Sequence, residues 1–316
     1  MGGGKEAAGT EYEDSGGMRM RKLIYLMLWA ALSVGTTITL PQMGIWGEEK
    51  QHGKGFGMFS WSEDIMGEGE RESLYACLDA AEVTDIYQKF SEESLKAEKS
   101  AAFIRDMRVK EVNVFALMGE PEWAYEKDGK SLLQELGYVA EYNESHEQSE
   151  RILGVMVDVE PYLLKEWNRG GKKRKELMDG FLSCIKHAYA YAGEKDLKFL
   201  VCIPIFYDSS NEEILEELIA NGCDGVAVMN YSRRDEYGQM AKETGYAREY
   251  GKDIICIYEL QPPGRHELEE INTYANEGME ALWQSARRLE GQFGYERLKF
   301  AYHHYEALKG ALGAGD

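Results

Sequence analysis

Residues 152–162 read Ile-Leu-Gly-Val-Met-Val-Asp-Val-Glu-Pro-Tyr, an apolar run that ends in two carboxylates, Asp158 and Glu160, with a proline directly behind them. Side chains alternate along a strand, so Asp158 and Glu160 share a face with Met156, while Val155, Val157 and Val159 take the other. Apolar residues on both faces mark a strand covered on both sides, as in a parallel sheet. The two acids close its C-terminal end, the end at which parallel barrels carry their chemistry. Paired carboxyls there can divide the work of proton donor and charged partner. The plainer alternative is a pair that caps a helix or meets an arginine. Two acids on one inward face are nevertheless costly to bury without a task.

The elements that must position these residues follow a regular rhythm. Beyond Lys50, short apolar stretches rich in β-branched and aromatic residues predict strands at 55–61, 83–88, 112–118, 152–159, 197–205, 225–231, 253–259 and 298–303. Between them, apolar residues recur at helical spacing: Leu74, Cys77, Leu78 and Ala81, then Leu177, Phe181, Ile185 and Ala188, then Ile214, Leu215 and Leu218. Asn211 before Glu212 and Glu213 starts a helix, and Gly193, Gly222 and Gly251 fall where helices should end. Eight strand–helix units in about 260 residues predict an α/β protein, a single (β/α)8 TIM barrel over 51–312. A doubly wound sheet would carry a Gly-rich phosphate loop after an early strand. Here the Gly-x-Gly-x-Gly run at 53–57 precedes its strand.

In such a barrel the strand ends meet at one mouth. In order they bring Ser60 and Trp61, Gln88 and Lys89, Glu120, Glu122 and Trp123, then Asp158 and Glu160. Tyr207 and Asp208, Asn230 and Tyr231, Glu259 and Gln261, and His303, His304 and Tyr305 complete the ring. Phosphate sites need cations and backbone amides, and cations are scarce here, so a phosphorylated substrate is not expected. Carboxylates, amides and aromatics suit a carbohydrate, whose rings offer apolar C–H faces and whose hydroxyls need polar partners. Trp61 and Trp123 are candidate stacking platforms. Asp208, Asn230 and His303 are candidate hydrogen-bonding partners. Each has a structural alternative: the tryptophans can pack under loops, and Glu259 can hold a loop. Of the adjacent His303 and His304, only one is expected to point inward.

A net charge of −20 repels polyanions, which excludes nucleic acid as an expected partner. Five cysteines, scattered through predicted elements without metal-ligand spacing, read as core residues. Residues 1–17 form a Gly-rich, acidic leader, read as disordered or as an artefact of a later start at Met18 or Met20. The segment 18–47 opens on a basic cluster and carries no charge after Lys22, which predicts a signal peptide or a membrane anchor. Its most apolar part, 23–40, matches the roughly 20 residues that span a bilayer. Positive charge on its N-terminal side places the body outside the cell, secreted or anchored. Oligomeric state is not legible.

These motifs resemble those of barrel glycoside hydrolases, nearest to glycoside hydrolase family 18 and its relatives. That family carries D-x-x-D-x-D-x-E on strand four and M-x-Y-D on strand six. Asp158-Val-Glu160 matches the final D-x-E, and Met229-Asn-Tyr231 matches M-x-Y. The resemblance implies that Glu160 is the general acid, that Asp158 positions a substrate acetamido group, and that Tyr231 supports the intermediate. Met156 and Ser232 stand where the family has acids, and strand three lacks the family's S-x-G-G. The strand ends also resemble the large clan A of retaining glycosidases, which places its acid after strand four and its nucleophile after strand seven. On that pattern Glu160 is the acid and Glu259 the nucleophile, although Val159 replaces the usual Asn. A carboxyl separation of about 5 Å would imply retention, and about 6.5–9.5 Å inversion. The favoured reading is an extracellular glycosidase that needs neither cofactor nor metal, with Glu259 preferred over a substrate acetamide as the attacking group because Met156 and Ser232 remove two of the family's acids while Glu259 is intact. Two rivals remain open. One is a barrel that binds glycan without cutting it. The other is a metal-dependent sugar-converting enzyme with Glu160, Glu259, Asp208 and His303 as ligands.

Overall fold

Every predicted strand forms. They are β1 (Phe56–Ser60), β2 (Val83–Lys89), β3 (Asn113–Met118), β4 (Gly154–Val157), β5 (Lys198–Pro204), β6 (Gly225–Met229), β7 (Asp253–Glu259) and β8 (Leu298–His303). The structure is a computed structural model and describes residues 55–313. The readings made for 1–17 and 18–47 lie outside the described residues. All strands are parallel, pair in chain order, and close β8 onto β1, so the fold is a (β/α)8 TIM barrel. β4 is shorter than its apolar run, but hydrogen bonds from Leu153 to the Val114 carbonyl (2.9 Å) and from Asp158 to the Met118 carbonyl (2.8 Å) continue its ladder at both ends.

One main helix follows each strand: α1 (Arg71–Ala80), α2 (Glu98–Val109), α3 (Lys130–Ser145), α4 (Gly171–Glu194), α5 (Glu212–Asn221), α6 (Ala241–Tyr250), α7 (Gly278–Phe293) and α8 (Tyr305–Ala311). Their apolar stripes are buried against the barrel, with Leu177, Phe181, Ile185 and Ala188 of α4 as an example. Gly222 and Gly251 end α5 and α6 as expected. Gly193 does not end α4, which runs on to Glu194; the left-handed residue behind it is Asp196 (φ 55°).

The pleat sorts side chains into two cores. Val155, Val157 and Val159 pack outward under the helices, and Met156 packs inward with Phe115, Leu200 and Ile255. The five cysteines are buried and unpaired with one another. At the N-terminal ends of the strands Asp253 gathers Lys198, Arg297 (2.7 Å) and Lys299 (3.9 Å). Burial works against the Asp253 charge. The hydrogen bonds and charge of Lys198, with Arg297, outweigh it and hold the carboxyl below its ordinary value. This ionic floor belongs to the end of a barrel that serves stability, leaving the opposite end for a site.

Candidate active site

A cavity of about 680 Å³ opens at the C-terminal mouth. Among the described residues, none from the ends of β2 or β3 lines it; it leans toward β4–β8 and β1. After β3 a helical turn, Pro121–Tyr125, carries the chain outward over α4, and Gln88 spends its amide on the Ser62 carbonyl (3.0 Å).

β4 delivers its two acids as the alternation requires, with both Asp158 and Glu160 on the cavity wall. Asp158 is the deeper. Its Oδ1 is shut off from solvent and has no hydrogen-bond partner among the described residues. Burial first, and then the like charge of Glu160, raise its pKa to about 7, against smaller opposing effects from His303 and the Cys202 thiol. Glu160 accepts a hydrogen bond from the Tyr162 hydroxyl. Tyr162 is carried back by a helical turn that Pro161 opens, and its ring meets Phe206 edge-on at 5.3 Å. The pair therefore consists of one carboxyl whose pKa burial lifts to about 7 and a second that accepts a hydrogen bond from a phenol.

Across the mouth Glu259 ends β7 with its side chain inward, only 2% exposed. Its Oε1 accepts the backbone N–H groups of Leu260 (2.9 Å) and Gln261 (2.8 Å), and its Oε2 meets His303 Nδ1 at 2.9 Å. Burial opposes the charge, but His303 and the two N–H groups prevail and keep the carboxyl below its ordinary range. Tyr231 lies two residues beyond β6, on the same face as Met229, with its ring 5.8 Å from His303. Asn272 fixes the loop there by donating to the Tyr231 carbonyl (2.6 Å).

Of the residues singled out in the sequence, the cavity thus gathers Asp158, Glu160, Glu259, Tyr231, Trp61 and His303. It does not gather Trp123, Asp208 or Asn230. Trp123 packs in the outer core, and Asp208 sits on the short helix Tyr207–Ser210 away from the wall. Asn230 points out of the barrel, donating to the Glu236 carbonyl at 3.0 Å. Both His303 and His304 line the cavity, contrary to the expectation of one. β8 ends at His303, so strand alternation does not govern the residue after it. With Asp208 elsewhere, the four residues weighed as metal ligands are not assembled, and no group of three or more His, Cys, Asp or Glu among the described residues is placed to hold a metal ion. Tyr162, Phe206, His266 and Leu268 are among the wall residues that were not foreseen.

The fold and site define a (β/α)8 barrel with a carboxylate-lined, aromatic-walled mouth. No protein-family model matches the chain, and no curated protein matches its sequence. Solved structures do match in fold. A GH18 chitinase from Pseudoalteromonas aurantia aligns with a TM-score of 0.50 at 11% identity, over 83% of this chain and 100% of the other. A chitinase from Bacteroides thetaiotaomicron aligns with a TM-score of 0.51 at 12% identity, over 80% and 90%. The barrel is therefore similar in architecture to proteins of the family whose strand-four and strand-six motifs the sequence resembles.

Proposed function

We propose that this protein is a glycoside hydrolase acting on an extracellular or cell-surface glycan, with Glu160 as general acid and base. The observation that carries the proposal is the pairing of Asp158 and Glu160 at the end of β4, on one wall of a cavity that also holds Tyr231. Glu160 protonates the leaving glycosidic oxygen. As the protonated Glu160 gives up its proton, the C–O bond to the leaving group breaks and the acetamido carbonyl oxygen bonds to the anomeric carbon. The unmet oxygen of Asp158 accepts the acetamido N–H, Tyr231 supports the cyclic intermediate, and water then opens it, returning a proton to Glu160. Likeness in fold to chitinases supports this choice of substrate chemistry. A second reading makes Glu259 the attacking carboxylate, since it is held ionised at the facing wall. Paired aryl glycosides that differ only in the 2-acetamido group test the proposal. Release from the acetamido member alone fits the first route, and equal release from both fits the second. Glycan binding without any turnover would replace the enzyme with a binding barrel.

A further inference from the structure

Glu259 is an awkward nucleophile. Its Oε1 is occupied by two backbone N–H groups, and its Oε2 by His303 Nδ1 (2.9 Å) and the Gln261 side-chain amide (3.3 Å). An attacking oxygen would have to shed either the backbone N–H groups just beyond β7 or the His303 and Gln261 side chains. The same contacts suit a different task. An ionised carboxylate can only accept, so Nδ1 of His303 carries the proton and Nε2 is the nitrogen left for the cavity that His303 lines. Phe59 (6.0 Å) and His304 (5.2 Å) pack edge-on to the imidazole and Tyr231 lies at 5.8 Å, so its orientation is set on three sides. Among the described residues, Asp158, Glu259, His304 and Tyr231 are titratable groups that interact with it or meet its ring, in a cavity that Glu160, Tyr162, Cys202 and His266 also line.

We propose that Glu259 is a positioning residue for His303, and that His303 Nε2 is the atom of this pair that touches substrate, hydrogen-bonding a hydroxyl of the sugar on which Glu160 acts. This rests on the hydrolase reading and chooses between its two routes. The carboxylate fixes tautomer and ring direction, as a carboxylate behind a working histidine does elsewhere.

The test uses the full chain and four variants: His303→Gln, Glu259→Gln, Glu259→Ala and the double Glu259→Gln/His303→Gln. On the best acetamido aryl glycoside, each single Gln variant should lose roughly 10- to 100-fold in kcat/KM, and the double variant should be no worse than the poorer single, because the two act as one unit. Azide should not restore Glu259→Ala. Nitrogen NMR of the ring should show the Nδ1–H tautomer in wild type, shifting toward Nε2–H in Glu259→Ala. Azide rescue with a glycosyl azide product, wild-type kcat/KM in His303→Gln, or an Nε2–H ring in wild type would each overturn the proposal. A wild-type protein that cleaves nothing removes the hydrolase reading instead. The pairing then stands if the ring is Nδ1–H and His303→Gln weakens binding of a 2-acetamido-sugar trimer by tenfold or more, and falls if either fails.

Discussion

Asp158 and Glu160 are identical functional groups that one strand end places in different surroundings. Asp158 is partly buried in the cavity wall with its Oδ1 shut off from solvent and unmet among the described residues, and burial moves its pKa up to about 7. Glu160 sits two residues nearer the mouth and takes a hydrogen bond from Tyr162. In the proposed reaction that phenol holds the carboxyl in place. Tyr162→Phe keeps the ring's contact with Phe206 and removes the donor, so kcat/KM on an aryl glycoside should fall by about tenfold, the worth of one hydrogen bond to a charged group. An unchanged kcat/KM would mean that Glu160 is held by something else.

Elements decide which of these groups can meet. β3 and β4 run so close at their upper ends that a Cβ on Gly119 would lie 1.9 Å from the Asp158 carbonyl oxygen. Gly119→Ala must push the strands apart where Asp158 is seated. It should cost about 1–3 kcal/mol in chemical unfolding and impair turnover with it. Full stability with lost turnover would show that the strain is absorbed at the site alone. The same element logic explains what the sequence disclosed. Inward positions on β4, β6 and β7 follow a period of two, so Asp158, Glu160, Tyr231 and Glu259 were legible once the strands were. That period also puts Asn230 outward between Met229 and Tyr231, and it was available to exclude that residue. Trp123, Tyr162 and Phe206 lie on or beside helical turns that follow strands, where no simple period tells which way a side chain goes. The proline after Glu160 was the visible signal that the chain turns back there.

At the scale of the whole molecule, acidity and burial meet in α6. Glu243 is fully buried, neither of its carboxyl oxygens has a hydrogen-bond partner among the described residues, and burial raises its pKa from 4.5 to about 7, with the nearby backbone N–H of Glu243 opposing and Asp208 adding. The folded chain keeps this proton where the unfolded chain has released it. Stability should therefore fall as pH rises from about 4.5 to 7 and level off above. Glu243→Gln should flatten that slope and be more stable than wild type at pH 8 by on the order of 2–3 kcal/mol in denaturant unfolding. A slope identical in both proteins would assign the pH dependence to other groups. The basic cluster at Arg19–Lys22 and the uncharged run behind it carry a proposal for the native setting, in which the barrel lies outside the cell, secreted or membrane-anchored. Fractionation should find it there, and an intact chain confined to the cytosol would contradict the proposal.

The most direct measurement is the steady-state rate of Glu160→Gln beside wild type on the best acetamido aryl glycoside, with both proteins shown to be equally folded. Glutamine keeps the shape and the Tyr162 contact but has no proton to give. A loss of about 10²–10⁴-fold in kcat is expected if Glu160 protonates the leaving oxygen. A Glu160→Gln protein that works at the wild-type rate would contradict the assignment of the catalytic acid to the end of β4.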